Sequence, residues 1–180
     1  MRVEEIYLKG CFLITPKVFE DERGYFFESF NKKIFEKETG VLIDFVQDNQ
    51  SKSSKGVLRG LHYQTGEFEQ AKLVRVINGS VLDVCVDIRE DSQTYGKHFS
   101  ITLDSIEKKQ LFVPRGFAHG FLVLEDNTVF SYKCDNYYSR ESERGIIYND
   151  ESLNIDWKFN EEQLILSKKD KALPILKRFK

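Results

Sequence analysis

The sequence has little of what would tie it to a disulfide scaffold, a membrane or a nucleic acid. Its three cysteines, Cys11, Cys85 and Cys134, are odd in number and widely scattered. That spacing fits neither a disulfide framework nor a zinc pattern. Free thiols in apolar surroundings are expected instead, which suits a reducing cytoplasm. No apolar run approaches the ~18–20 residues of a membrane span. Neither charge sign dominates, with 27 Lys and Arg against 29 Asp and Glu and a net charge of −2. Non-specific nucleic-acid binding, which needs a basic excess, is therefore not expected. Residues 1–10 carry charges and no long apolar core, so they do not read as a signal peptide. Prolines number only three.

What is present is a strand-forming composition. Hydrophobic residues make up 41% of the 180, enough for a real core, and there are fifteen Phe and eight Tyr. Residues 7–15 read as one or two short strands, and residues 25–30, 42–49, 56–64, 70–77, 80–89, 99–103, 111–113, 121–124 and 128–134 as further strands. Asn78-Gly79 is a strong two-residue hairpin signal between two of them. One clear helix is expected over residues 31–40, with Asn31 as its cap and Gly40 as its stop. A second, short one fits residues 161–166. Some nine to eleven short strands with almost no helix indicate an all-β sandwich or barrel. Residues 1–180 show no linker and no repeat, so one domain is the simplest division.

The stretch Gly56-Val-Leu-Arg-Gly-Leu-His-Tyr-Gln64 organises the rest. Strict alternation would send Arg59 and His62 to opposite faces. A bulge at Gly60 would let both reach one cavity. An imidazole beside a guanidinium suits proton handling near an anion. On this stretch alone, a surface arginine and a satisfied core histidine remain equally open. Further polar residues interrupt apolar strands, among them Lys72, His119, Tyr132 and Glu28. Burying such groups is costly unless they face a wet or functional cavity. Six together argue against a purely structural role.

Pro114-Arg-Gly-Phe-Ala-His-Gly120 is similar to the Pro-x-Gly-x-x-His turn of cupins. That resemblance implies a double-stranded β-helix, or jelly roll, with an enclosed pocket and one or two short peripheral helices. Many cupins bind metal through a His-x-His pair, but here the stretch is His62-Tyr63-Gln64. Lys72 nearby would repel a divalent cation. No metal is expected.

A wider set of motifs is more specific. Residues 59–64 (RGLHYQ), 70–76 (QAKLVRV), 112–121 (FVPRGFAHGF) and 132–134 (YKC) occur in order, followed by Tyr137-Tyr138, Glu143-Arg144-Gly145 and residues 166–170 (LSKKD). Together they make the chain resemble the dTDP-4-dehydrorhamnose 3,5-epimerase family, from about Tyr7 to Asp170. The resemblance implies cofactor-independent epimerisation of dTDP-4-dehydro-6-deoxy-D-glucose through an enolate, within dTDP-L-rhamnose synthesis. It implies His62 as base, Asp170 as its acidic partner, Tyr132 as general acid and Lys72 beside the ketone. His119 would line the same pocket. Arg59 and Arg23 match diphosphate positions. Gln47, Asn49 and Glu28 match residues around the nucleotide and sugar, Glu143 and Lys169 match further binding positions, and Tyr138 and Phe19 could stack on thymine. A homodimer with N-terminal strand exchange is also implied, with residues 25–30 at the interface and Arg23 and Glu28 serving the partner's site. One departure is visible: Ser139-Arg140 follow Tyr138 where the family often has a proline. Two alternatives stay open. One is a single-site epimerase or ketoisomerase of another deoxysugar pathway. The other is a non-catalytic sugar-nucleotide binding module.

Overall fold

The structure, a computed structural model, describes residues 1–176. Two antiparallel sheets carry most of the chain. The first has six strands in the order β1 (Arg2–Glu5), β2 (Phe12–Thr15), β10 (Gln110–Val113), β7 (Lys72–Asn78), β12 (Thr128–Cys134) and β5 (Gln47–Ser53). The second has five, in the order β13 (Glu143–Gly145), β6 (Leu58–Gln64), β11 (Phe117–Val123), β8 (Ser80–Asp87) and β9 (His98–Asp104). A two-stranded ribbon, β3 (Phe19–Asp21) with β4 (Gly24–Phe26), stands apart from both. This is the jelly-roll architecture expected from the motifs.

The two sheets share one apolar cluster. Val74, Val76, Leu111 and Phe130 of the first sheet meet Val81, Cys85, Leu103 and Phe121 of the second. The outer face of the five-stranded sheet is covered too. Leu58, Leu82, Val84, Val86 and Leu122 pack there against Ile146, Leu153 and Trp157 from the chain after β12. Strand β8 is therefore buried along its whole length. That double burial matters for the site, because a polar residue on β8 has no water to face.

The expected helix is present as α1 (Lys32–Thr39). Asn31 caps it by accepting from the Ile34 amide at 3.2 Å, and Gly40 ends it at φ 72°. Phe35 anchors it against Phe30, Phe45 and Phe112.

Four local expectations give way. Asn78-Gly79 does not close a hairpin, because β7 and β8 belong to different sheets. It carries the chain across the core, and a side chain at Gly79 (φ 80°) would lie 2.3 Å from Thr128 Oγ1. Residues 25–30 form no long strand. Only β4 is extended, and Tyr25 and Phe26 are 59% and 68% exposed. Their apolar character gave a strand signal, but this chain offers them no core. The strand expected at 42–49 begins at Gln47 and runs on to Ser53, because pairing with β12 outweighs the polarity of that segment. Residues 161–166 hold a single 3-10 turn at Glu161–Gln163.

Candidate active site

The site starts from a register shift. Between β6 and β11, His62 lies opposite His119 and Arg59 opposite Phe121. Three steps on β6 therefore span two on β11, which is a bulge. It turns Arg59 and His62 toward the same cavity. Two glycines make it possible: a side chain at Gly60 (φ 125°) would sit 2.6 Å from Gly120 Cα, and one at Gly120 would sit 2.8 Å from the Arg59 carbonyl oxygen.

The cavity has a volume of about 410 Å³. Asn49, Gln50 and Ser51 of β5, Arg59 and His62 of β6, Lys72 of β7, His119, Gly120 and Phe121 of β11, and Tyr132 of β12 line it. The turn after residue 166 adds Ser167, Lys169 and Asp170. A larger hollow of about 880 Å³ lies elsewhere, lined by Tyr63, Arg89, Tyr95 and Arg115 among others. Its Arg89 and Arg115 are already paired with Asp87 and Asp135. It contains no imidazole, so the smaller cavity is where acid–base chemistry can occur.

Inside the cavity, His62 Nε2 is 2.6 Å from Asp170 Oδ1. Asp170 is buried, and its amide donates to Ser167 Oγ at 3.0 Å, which fixes the turn. Burial opposes ionisation of this carboxyl, but His62, Ser167 and Lys169 outweigh it and hold Asp170 below the usual carboxylate range. Lys72 Nζ stands 5.8 Å from the centre of the Tyr132 ring. Burial pushes the Lys72 ammonium down, opposed by negative charge from Cys134, Asp83 and Glu143. Burial also pushes the Tyr132 phenol up, so it stays protonated at neutral pH.

At the rim, Glu143 pairs with Lys169 and accepts from the Tyr138 hydroxyl at 2.8 Å. Burial works against its charge, yet Lys169 and Tyr138 keep Glu143 below its ordinary value. Gln47 donates to Asn49 Oδ1 at 3.1 Å and accepts from the Tyr138 amide at 3.1 Å. Arg59 Nη2 donates to Ser53 Oγ at 3.2 Å. Gln47, Tyr138 and Glu143 are not in the cavity lining itself but are tied to it by these bonds to Asn49 and Lys169. Phe19, Arg23 and Glu28 lie away from it, Phe19 and Arg23 on the ribbon. Arg23 is paired with Asp21 at 2.5 Å, and Glu28 accepts from Asn31 at 3.1 Å. Among the described residues, no group of three His, Cys, Asp or Glu side chains is placed to hold a metal ion. Gln64, at the metal-ligand position of other cupins, instead accepts from the Ser139 amide at 3.2 Å.

Asp83 was not singled out from the sequence. It is fully buried on β8, and both its oxygens lie 2.9–3.0 Å from His119 Nε2. The available signal was its place in one row with Val81 and Cys85, an apolar row rather than a solvated one.

A jelly roll whose cavity gathers two imidazoles, a lysine, a buried tyrosine and a paired carboxylate defines an acid–base enzyme rather than a structural β-sandwich. The comparisons are specific. The family profile described as dTDP-4-dehydrorhamnose 3,5-epimerase matches residues 5–178, and the chain belongs to that family. The Salmonella typhimurium dTDP-4-dehydrorhamnose 3,5-epimerase is 52% identical over 176 residues, covering 98% of this chain and 96% of the relative. A crystal structure of the Elizabethkingia anophelis enzyme of that name superposes with a TM-score of 0.94 at 55% identity, covering 97% of this chain and 96% of that one. A Legionella pneumophila epimerase in complex with dTDP-4-keto-L-rhamnose gives 0.94 at 47% identity, covering 97% and 92%.

Proposed function

We propose that this chain converts dTDP-4-dehydro-6-deoxy-D-glucose to dTDP-4-dehydro-L-rhamnose by epimerisation at carbons 3 and 5. The observation that carries the reading is the His62–Asp170 pair facing the same cavity as Lys72 and Tyr132. The ketone at carbon 4 acidifies the protons on both neighbouring carbons. His62 removes such a proton, with Nε2 held by Asp170 and Nδ1 turned to the substrate. Asp170 stabilises the imidazolium that results. Negative charge then develops on the carbon-4 oxygen, and Lys72 at the cavity wall stabilises it. Tyr132, kept neutral by burial, delivers a proton to the opposite face. The proton taken by His62 returns to solvent and the Tyr132 phenolate regains one from solvent, so each carbon is inverted with no net change in composition.

Binding follows from the rim. Arg59 and Lys169 face the diphosphate, and Gln47, Asn49, Tyr138 and Glu143 form the nucleotide end. Arg23 and Glu28 lie outside this chain's cavity, so they act in the cavity of a second copy. The exposed Tyr25 and Phe26 on the ribbon support that placement, because a patch of large apolar side chains favours a partner. The working form is thus a homodimer, each chain one unit over 1–180. Three buried free thiols fit a cytoplasmic setting, and no described helix is long and apolar enough to cross a membrane.

The test is incubation with the keto sugar in heavy water, followed by NMR. Deuterium at carbons 3 and 5, with an L-configured product, is expected. Deuterium at one carbon identifies a single-site epimerase, and none at either, from folded protein, sinks the proposal.

A further inference from the structure

Tyr138 is half exposed, yet it is fixed at both ends. At one end its hydroxyl donates to Glu143 Oε2 at 2.8 Å. At the other, two carboxamides hold the backbone. Gln47 Oε1 accepts from the Tyr138 amide at 3.1 Å, and Gln64 Oε1 accepts from the Ser139 amide at 3.2 Å. A backbone N–H only donates, so in both side chains the oxygen faces it. Gln47 begins β5 in the six-stranded sheet, and Gln64 ends β6 in the five-stranded one. The segment after β12 is thus gripped between the two sheets. No proline stiffens it, since the three in the chain are Pro16, Pro114 and Pro174. Side chains do so instead: Asp135 Oδ1 accepts from the Ala71 amide at 2.6 Å, and Gln70 donates to the Asn136 carbonyl oxygen at 2.7 Å.

Gln64 is the buried member of this grip, at 8% exposure, and it does not border the cavity. It lies opposite Glu143 across β6 and β13. It therefore ties the strand that carries Glu143 to the segment that carries Tyr138. Glu143 in turn pairs with Lys169, which lines the cavity, so the ring stands beside the cavity mouth. Ordering a half-exposed ring costs conformational entropy and buries little area in return. A flat face held still and left bare is suited to stacking on a planar base. We propose that Gln64 is a positioning residue for the nucleotide end, holding the Tyr138 ring as a preformed platform for the base of a nucleoside diphosphate. Without its acceptor the segment loosens, and binding must bear the cost of ordering it. The inference rests on the nucleotide-sugar reading above and deepens it.

The experiment measures binding of dTDP and of inorganic pyrophosphate by titration calorimetry, with steady-state kinetics alongside. It compares wild type, Gln64→Met, Tyr138→Ala and the double variant. Methionine keeps the length of the side chain and removes the acceptor. Gln64→Met should weaken dTDP by about 10-fold, part of the usual worth of base–aromatic stacking, and leave pyrophosphate within about 2-fold. KM for the keto sugar should rise in step, while kcat stays within about 3-fold. In the Tyr138→Ala background the Gln64 change should add less than about 2-fold, because the residue acts through the ring. A merely structural contact would weaken both ligands alike, and its effect would persist without the ring. Circular dichroism and thermal melts establish folding. If Gln64→Met does not fold, Gln64→Asn, whose acceptor falls one carbon short, carries the same test. Wild-type dTDP affinity in a folded variant, equal losses for both ligands, or a full effect in the Tyr138→Ala background would overturn the inference and leave the epimerase reading standing. A wild type that binds no dTDP would overturn the nucleotide-sugar reading, and this inference with it.

Discussion

Replacing Asp170 by asparagine tests the central pair most directly. The side chain keeps its shape, and the bond from the residue 170 amide to Ser167 Oγ is a backbone contact that survives. What disappears is one negative charge, 2.6 Å from His62 Nε2 in a site where Asp170 is 4% exposed. At a charge separation of about 4 Å and an effective dielectric constant of about 20, a full ion pair is worth about 4 kcal/mol. His62 is partly exposed, so water screens some of this, leaving about 3 kcal/mol. That energy stabilises the imidazolium formed on proton abstraction and is absent while the ring is neutral, so it lowers the barrier. At 1.36 kcal/mol per decade, Asp170→Asn should slow wash-in at both carbons by about 10²-fold. KM should change little, because the substrate binds before the charge forms. The pH dependence has a defined sign. Asp170 is held below the usual carboxylate range, so it stays ionised from neutral pH down through the ordinary carboxylate pKa of ~4. Its contribution is present above that pH and is lost only as acidification passes its lowered folded value. Exchange by folded Asp170→Asn within 3-fold of wild type would refute the reasoning, since the pair would then be an ordinary structural contact.

Other expectations separate the remaining roles. Tyr132→Phe should retain proton abstraction better than inversion, so deuterium enters substrate while L-configured product falls by at least about 10²-fold; equal, mild losses in both would contradict the assignment. Lys72→Met should lower kcat by about 10²-fold or more with little change in fold, read by kinetics and melting together. Asp87 should govern acid stability. Burial opposes its charge, but donors from Arg89, Ser92 and Thr94 outweigh it and lower the carboxyl to about 2. A folded pKa below the unfolded one gives stability that is complete above pH ~4 and lost as pH falls through ~2, amounting to about 2 kcal/mol. Urea unfolding across that range should show the slope in wild type and lose it in Asp87→Asn. Light scattering should report a dimer, and charged replacements at Tyr25 and Phe26 should weaken it and reduce activity together.

Much of the site was legible because its chemistry sits in local motifs. Arg59 and His62 could be paired from a single clue, a glycine between two polar residues on an otherwise apolar strand. The helix over 32–39 was legible because its cap and stop are local too. Sheet membership was not. Asn78-Gly79 is a good hairpin sequence, yet which strands pair is decided by burial across the whole chain. Asp83 escaped for the same reason. Alternation sets it on the face opposite Leu82 and Val84, and a carboxylate on such a face usually meets water. Only the segment covering the outer face, with Ile146 and Trp157, reveals that β8 has no wet side.

That double burial ties the fold to the chemistry. A strand with one wet face could not hold Asp83 against His119 without solvent competing for both. Packing the chain after β12 over the outer face leaves Asp83, in the middle of β8, to find its polar partner in His119 at the cavity wall. The bulge at Gly60 then sets Arg59 and His62 on the same cavity from the neighbouring strand. Gly60→Ala should therefore act on catalysis as well as stability. Its new Cβ would lie 2.6 Å from Gly120 Cα, backbone that cannot rotate away. The strands must separate or the bulge must slip, and a one-residue slip turns His62 away from Asp170. Activity should fall by more than the fraction unfolded accounts for, measured as exchange rate per folded molecule. A folded Gly60→Ala protein with wild-type exchange would show that the bulge is not what aligns the two residues.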